Sequence, residues 1–438
     1  MTEKDQGRNT SITKAEIDAF FEEMIIKDEK NINFHAIENL LKENGISKDD
    51  HRISSLKESL SESIDEELDR SRFEQLLQEK EVILKCFRKE LVIPNFPEFS
   101  KDVEDIFRST KSNTNGDIDE SLPQHDDAEN PPYAISVCTV DGQLLQLGDH
   151  DLAFSVQSIS KVVNYAIARE ELGRKKLHEH VGVEPGGEGF DAGMVLNEKD
   201  LPHNPLINSG AMMTASLIKQ DLEMEQRLQY VIDVWEKMTG DKKVEYRKEA
   251  FETERKNADK NFALAHLMKD RGAFAENVDL GTVVDFYLKC CAIEVNIDDL
   301  AHAGATLANY GKCPSTGKKV FHHNTVRDTL SLMLSSGTYD HSGEFAFRVG
   351  LPAKSGISGG ILVVVPGVFG IAAYSPPLDE HGNSVRGLEF CEKLVDRFNF
   401  HNFDSKSTSI HGKKDPRQTH HMKKLVHHGN YRQIEYYY

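Results

Sequence analysis

An α+β architecture with a helical module in front of it follows from three features of the amino-acid sequence. Two β-hairpin patterns stand far apart in the chain, a long helical stretch lies between them, and roughly the first hundred residues read as short amphipathic helices. With 438 residues the chain is long enough for two or three domains, one of them large enough for a substantial core.

The helical module begins with Ile17, Phe20, Phe21, Met24 and Ile25, one apolar face behind the caps Ser11 and Thr13. Ile37, Leu40 and Leu41 mark a second helix that stops at Gly45. Ile53, Leu56 and Leu60 mark a third, and the run from Phe73 to Phe87 a fourth that ends before Pro94. Two helix pairs joined by short loops form an EF-hand-like arrangement. Neither Asp28 to Asn33 nor Ser63 to Glu67 has the D-x-[DN]-x-[DN]-G spacing of a calcium loop, so no calcium is expected.

Residues Ser109 to Pro132 carry turn formers, acidic residues and a Pro-Pro pair and read as linker. From Tyr133 the chain turns β-branched, and Asp141-Gly142 joins Tyr133 to Val140 with the returning strand Gln143 to Leu147. Helical patterns run from about Ser158 to Ser336, interrupted by the glycine-rich loop Pro185 to Gly193. That loop lacks the lysine of a phosphate cradle. A second hairpin, Ile361 to Val365 and Val368 to Ala373, turns at Pro366-Gly367, and Leu388 to Phe398 gives a last helix. Strands at both ends imply one antiparallel sheet closed by distant segments.

Composition narrows the function. Acidic side chains outnumber basic ones by 72 to 53, a formal charge of −19, which argues against nucleic acid or an anionic membrane as the main partner. No apolar run is long enough to span a bilayer. The start of the chain has no secretory h-region and no Arg-rich presequence, so as written it is expected in the cytosol. Cys86, Cys138, Cys290, Cys291, Cys313 and Cys391 lack C-x-x-C pairing and read as reduced core residues. From Asp404 the chain has 7 basic against 3 acidic residues and several histidines, among them His420, His421, His427 and His428. This segment reads as a disordered basic tail, with no metal expected.

The candidate nucleophile is Ser158 in Gln157-Ser158-Ile159-Ser160-Lys161. In S-x-x-K at a helix start, serine and lysine share a face, so a desolvated amine can take the serine proton. The same spacing recurs at Ser11/Lys14, Ser54/Lys57, Ser216/Lys219 and Ser315/Lys318, so it says little alone. Only Ser158 is followed by a largely apolar helix, Val162 to Ala168, that would bury its lysine. The single K-[ST]-G, Lys354-Ser355-Gly356, opens the second hairpin. S-x-x-K upstream and K-S-G on a late strand is the order found in serine acyl-transferring enzymes of the penicillin-recognising fold.

Longer blocks carry a further resemblance: Ser136 to Gly142, Gln157 to Lys161, His203 to Ala211, Thr253 to Phe262, Asp285 to Tyr287, Tyr339 to Phe347 and Val349 to Gly356. Over roughly Ser11 to Asp404 the sequence closely resembles the animal kidney-type and liver-type glutaminases. The resemblance implies a serine β-lactamase-like catalytic domain and hydrolysis of L-glutamine to L-glutamate and ammonia. Ser158 would attack, Lys161 and Tyr339 would share the proton transfers, and the amides of Ser158 and Ile357 would hold the oxyanion. Asn208, Glu254, Asn261 and Tyr287 would bind the α-carboxylate and α-ammonium of the substrate. No cofactor is implied. Inorganic phosphate is implied as an activator acting through a loop that matches Gly189 to Asp200, and assembly as a dimer, tetramer or filament. The family compartment is mitochondrial.

Two departures accompany the resemblance. Ser121 stands where the family has a substrate-contacting tyrosine, a loss of about 1–3 kcal/mol of packing and hydrogen bonding. The second is that no ankyrin repeats are expected behind the catalytic region, where the sequence instead carries the basic, histidine-bearing segment. The expected layout is therefore residues 1–105 helical, 106–132 linker, 133–403 catalytic and 404–438 tail. Two alternatives are a catalytically weakened, oligomerising relative and a Ser/Lys peptidase or β-lactamase-like hydrolase.

Overall fold

The computed structural model describes residues 12–28, 33–47, 50–52, 68–118, 130–186, 196–405 and 412–418. The expected third helix, Ser121, most of the glycine-rich loop and the last part of the tail lie outside them. The chain divides into two compact units, residues 1–99 with 416–438 and residues 100–415.

In the first unit the apolar faces found in the sequence meet in one core. The helix Lys14–Asp28 contributes Ile17 and Met24, and Phe34–Glu43 contributes Ile37 and Leu41. Phe87 joins them, its ring stacked 4.7 Å from Phe20 and edge-on to Phe73 at 5.8 Å. Asn33 caps the second helix by accepting from the Ala36 amide at 3.0 Å. The helix expected over 73–87 is two helices, Arg70–Glu79 and Glu81–Arg88. Lys80, with φ −120° and ψ 86°, breaks the run, and the apolar period continues across the break, which is why the sequence pattern hides it.

The second unit is built on a five-stranded antiparallel sheet in the order β2-β1-β8-β7-β6. Its strands are β1 (Ala134–Thr139), β2 (Leu144–Gly148), β6 (Ala353–Ser355), β7 (Gly360–Val365) and β8 (Phe369–Tyr374). The two predicted hairpins are β1/β2 and β7/β8, and they join through β1 and β8, as the strands at either end of the pattern required. Short strands β3 (Phe154–Ser155), β4 (Glu245–Tyr246) and β5 (Ile293–Val295) form a second sheet ordered β3-β5-β4.

The helix Ile297–Ala308 lies on β1, β7 and β8 and is buried along its whole length. It gets close because both surfaces are glycine at the contact. A Cβ on Gly370 would stand 2.3 Å from the Ala305 amide nitrogen, and one on Gly304 would stand 3.0 Å from the Gly370 Cα. The helix Met224–Met238 packs on it, and the helix Asn208–Ser216 packs against both Ser160–Leu177 and Leu280–Cys291, with Trp235 and Phe286 fully buried in the same core.

Two boundaries differ from expectation. The predicted linker start at 106 lies inside the helix Phe96–Thr110, where Val103, Ile106 and Phe107 form a buried stripe. Phe107 stacks on Tyr133 at 4.5 Å and Thr110 shares a 2.6 Å hydrogen bond with the Tyr133 hydroxyl, so this segment belongs to the second unit. The tail is not wholly free either. Lys414 pairs with Phe398 in an isolated parallel bridge, its ammonium meets Asp102 at 2.6 Å, and Asp415 is buried against Asn399. Buried Asp102, which also binds Arg397 at 2.7 Å, supplies the anchor that a count of tail charges does not reveal. All six cysteines are buried free thiols.

Candidate active site

Ser158 sits in a single 3-10 turn, Gln157–Ile159, between β3 and the helix Ser160–Leu177. The turn is tight enough to hold Gln157 at φ +48°, left-handed for a residue with a Cβ, a conformation that costs on the order of 1–3 kcal/mol. The K-S-G segment packs directly behind it. A Cβ on Gly356 would lie 2.9 Å from the Val156 carbonyl oxygen and 3.5 Å from the Gln157 Cβ, so the glycine of that motif is set by the approach of β6 to the serine turn. Ile357 follows at once, half-buried in the turn before β7.

Lys161, one helical turn beyond Ser158, is 2% exposed because the apolar face of its helix carries it inward. Its ammonium donates to Asn208 Oδ1 at 2.6 Å and has no carboxylate partner among the described residues. Burial pulls its pKa down to about 8. Tyr339 opens the short 3-10 helix Tyr339–His341, also at positive φ, +55°. Its hydroxyl donates to the Ser355 carbonyl at 3.1 Å, and burial raises its pKa against the opposing effect of the nearby Ser158 hydroxyl. Serine, lysine and tyrosine are thus brought together.

The remaining predicted residues line the same site. Asn208 starts the helix Asn208–Ser216 and accepts from both Lys161 and the Tyr287 hydroxyl, the latter at 3.3 Å. Its amide donates to Asn261 Oδ1 at 3.2 Å. The Lys161 ammonium lies 5.9 Å from the Tyr287 ring centre. Glu254, on the helix Lys248–Lys256, accepts from the Gln157 amide at 2.7 Å, and burial pushes its carboxyl up to about 7. A half-buried carboxyl with a raised pKa can pair with a cation brought against it.

Two residues of the site escaped the sequence reading. Gln157 clamps Glu254 to the serine turn, and nothing in its neighbourhood signals that bond. Lys354 was visible as part of K-S-G without a role. It is fully buried, donates to the Ser355 carbonyl at 2.7 Å and stands 4.2 Å over the Tyr339 ring. Burial, with the nearby charge of Lys161, drives its pKa well below the ordinary lysine value. No three His, Cys, Asp or Glu donors gather around Ser158 among the described residues; the one such group is His150, Asp151 and Asp298.

Serine, a desolvated amine, a buried tyrosine and backbone from a late strand can carry out acyl transfer to water without a metal-type ligand set. Comparisons with known proteins agree with this arrangement. The glutaminase family model matches residues 116–403 and an EF-hand domain model matches residues 17–94. The chain is 40% identical over 388 residues to the Mus musculus glutaminase liver isoform, mitochondrial, covering 87% of this chain and 64% of that protein. It is 41% identical over 305 residues to a Nostoc sp. glutaminase, covering 69% of this chain and 90% of the other. The chain therefore spans about two thirds of the mouse relative and nearly all of the bacterial one. Among solved structures, probable glutaminase ybaS superposes with a TM-score of 0.66 at 35% identity, over 70% of this chain and 98% of that one. Mglu in its tris and glutamate form superposes with a TM-score of 0.66 at 32% identity, over 70% and 68% of the two chains. These likenesses disfavour the peptidase alternative.

Proposed function

The chain belongs to the glutaminase family, and from that premise we propose that it hydrolyses L-glutamine to L-glutamate and ammonia through a γ-glutamyl ester on Ser158. The observation that carries the reading is the buried Lys161, one helical turn beyond Ser158, whose ammonium has an amide rather than a carboxylate as its partner among the described residues. At pH 7 roughly a tenth of a lysine with a pKa near 8 is neutral. In that form Lys161 accepts the serine proton, directly or through Tyr339, as Oγ adds to the side-chain amide carbon.

The tetrahedral oxyanion lies between the amides of Ser158 and Ile357, each such donor being worth about 2.7–4 kcal/mol in acyl transfer. Collapse breaks the C–N bond, and the proton held by the Lys161/Tyr339 pair leaves with ammonia. Water then adds to the ester, its proton passes back through the same pair to Ser158 Oγ, and glutamate departs. Glu254 takes the α-ammonium, while Asn208, Asn261 and Tyr287 take the α-carboxylate. Lys354 keeps the Ser355 carbonyl and the Tyr339 ring in place.

By the same premise the chain forms a homo-oligomer, responds to inorganic phosphate without needing a cofactor, and works in mitochondria as the name of the mouse relative says of that protein. The test is direct: purified full chain with L-glutamine, with and without phosphate, followed by ammonia release and glutamate formation. Production of both in stoichiometric amounts supports the reading. Their absence under both conditions overturns it in favour of the non-catalytic relative.

A further inference from the structure

Tyr339 is placed by a backbone conformation that its neighbours have to hold. At φ +55° it is left-handed with a Cβ, and Thr338 before it stands at φ −114° and ψ 39°, outside both helix and strand. Two local bonds pin this turn. The Thr338 amide donates to the Ser342 hydroxyl oxygen at 3.1 Å, and that hydroxyl donates to the Tyr339 carbonyl at 2.6 Å. A third bond comes from 45 residues away. The Asn383 side-chain amide donates at 3.3 Å to the Thr338 carbonyl, which also accepts the His341 backbone amide at 3.2 Å.

Asn383 is fully buried in the loop that links β8 to the helix Val385–Arg397. Asp379 closes that loop. Its Oδ1 accepts the backbone amides of His381 at 3.0 Å and Asn383 at 2.8 Å, and its own amide donates to the Asn383 carbonyl at 2.8 Å. The Asn383 Nδ2 lies 3.3 Å from Asp379 Oδ2, so its two hydrogens serve one carboxylate and one carbonyl. Turning the amide over would set an oxygen against both acceptors, which fixes the nitrogen at this point. The loop runs beside the tyrosine. A Cβ on Gly382 would stand 3.6 Å from Tyr339 Cε2 and 3.6 Å from Ile357 Cγ2, and the His381 ring faces the His341 ring at 6.1 Å.

Neither packing nor loop closure accounts for an asparagine here. Its Oδ1 is enclosed with no hydrogen-bond partner among the described residues, a cost that an apolar side chain would avoid. The bonds from Asp379 to backbone amides close the loop without it. What the side chain adds is a donor that reaches from the Asp379 carboxylate to the carbonyl in front of Tyr339.

We propose that Asn383 is a positioning residue for the reaction: oriented by Asp379, it holds the Thr338–Tyr339 turn so that the tyrosine hydroxyl keeps its place in the proton transfers at Ser158. The inference rests on the glutaminase reading. Without the bond the turn relaxes, and a displacement on the order of 1 Å at the reacting groups costs about 100-fold in rate.

The experiment is a double-mutant cycle on the full chain with L-glutamine, using Asn383→Ala, Tyr339→Phe and the two combined, with kcat, KM and Tm measured for each. Asn383→Ala is expected to lower kcat about 30- to 100-fold while KM stays within about twofold. In the Tyr339→Phe background the same change should cost less than about threefold, because the hydroxyl that Asn383 positions is gone. Equal losses in both backgrounds would overturn the assignment, and so would a lowered Tm with kcat unchanged. Should Asn383→Ala fail to fold, the same cycle built on Asp379→Ala, which frees the Asn383 amide, decides by the same criterion. Absence of ammonia release from the wild type would sink the glutaminase reading itself, whereas wild-type turnover matched by Asn383→Ala would sink the positioning role alone.

Discussion

Two copies of one motif have opposite fates in this molecule. Ser158/Lys161 and Ser315/Lys318 share the S-x-x-K spacing. Lys161 is 2% exposed with an amide as its partner, whereas the Lys318 side chain is 59% exposed and ion-paired with Asp241 at 2.6 Å. Ser315, although buried, bonds to His302 Nε2 at 3.0 Å, next to Cys313 and Cys138 on the same imidazole. The spacing supplies proximity in both places. Chemistry needs the lysine stripped of water and of counter-charge, and only the apolar helix after Ser158 does that.

The comparison can be broken most severely at the serines. Ser158→Ala is expected to cut ammonia release by about four orders of magnitude or more with little change in Tm, while Ser315→Ala keeps turnover and loses about 1–2 kcal/mol of stability as His302 gives up a partner. Turnover surviving in the first variant would remove the nucleophile. Next come the lysines: Lys161→Met should cost about 100- to 10,000-fold in kcat, and Lys318→Ala less than twofold. Equal losses would mean that burial is not the distinguishing property.

A pH profile sharpens the point. Lys161 must be neutral to accept a proton, so kcat should fall about tenfold per unit as pH drops below about 8. Glu254 must be ionised to hold an ammonium, so KM should rise as pH drops below about 7. Initial rates over pH 5.5–9 separate the two, and a flat kcat would contradict the lysine's role. The smallest effect is expected for Gln157→Ala, which frees Glu254 from the serine turn: roughly a tenfold rise in KM, about 1.4 kcal/mol, with a smaller change in kcat.

How much of this could be read from the chain depends on the range of the interaction. The hairpins were legible because Asp141-Gly142 and Pro366-Gly367 are local turn signals between β-branched runs, and the joining of β1 to β8 followed from having no other place to bury them. Burial of Lys161 was legible from Val162 to Ala168. The Gln157 to Glu254 bond was not, because it joins residues 97 apart and leaves no periodic trace. Glu254 itself stood among 72 acids until the family resemblance singled it out. Lys80 as a helix break was hidden for the opposite reason, since a local kink left the apolar period intact.

The pairing of β1 with β8 also has a consequence for how the molecule is made. About 230 residues separate the end of β1 from the start of β8. At roughly 5–20 residues per second, a growing chain waits on the order of 10–50 s between the two. During that interval β1 is an open strand edge with its neighbour β2 on one side only, and an isolated hairpin is marginal in water. The sheet of the second unit therefore closes only once β8 has been made, and until then the nascent β1/β2 hairpin is the segment most in need of chaperone cover.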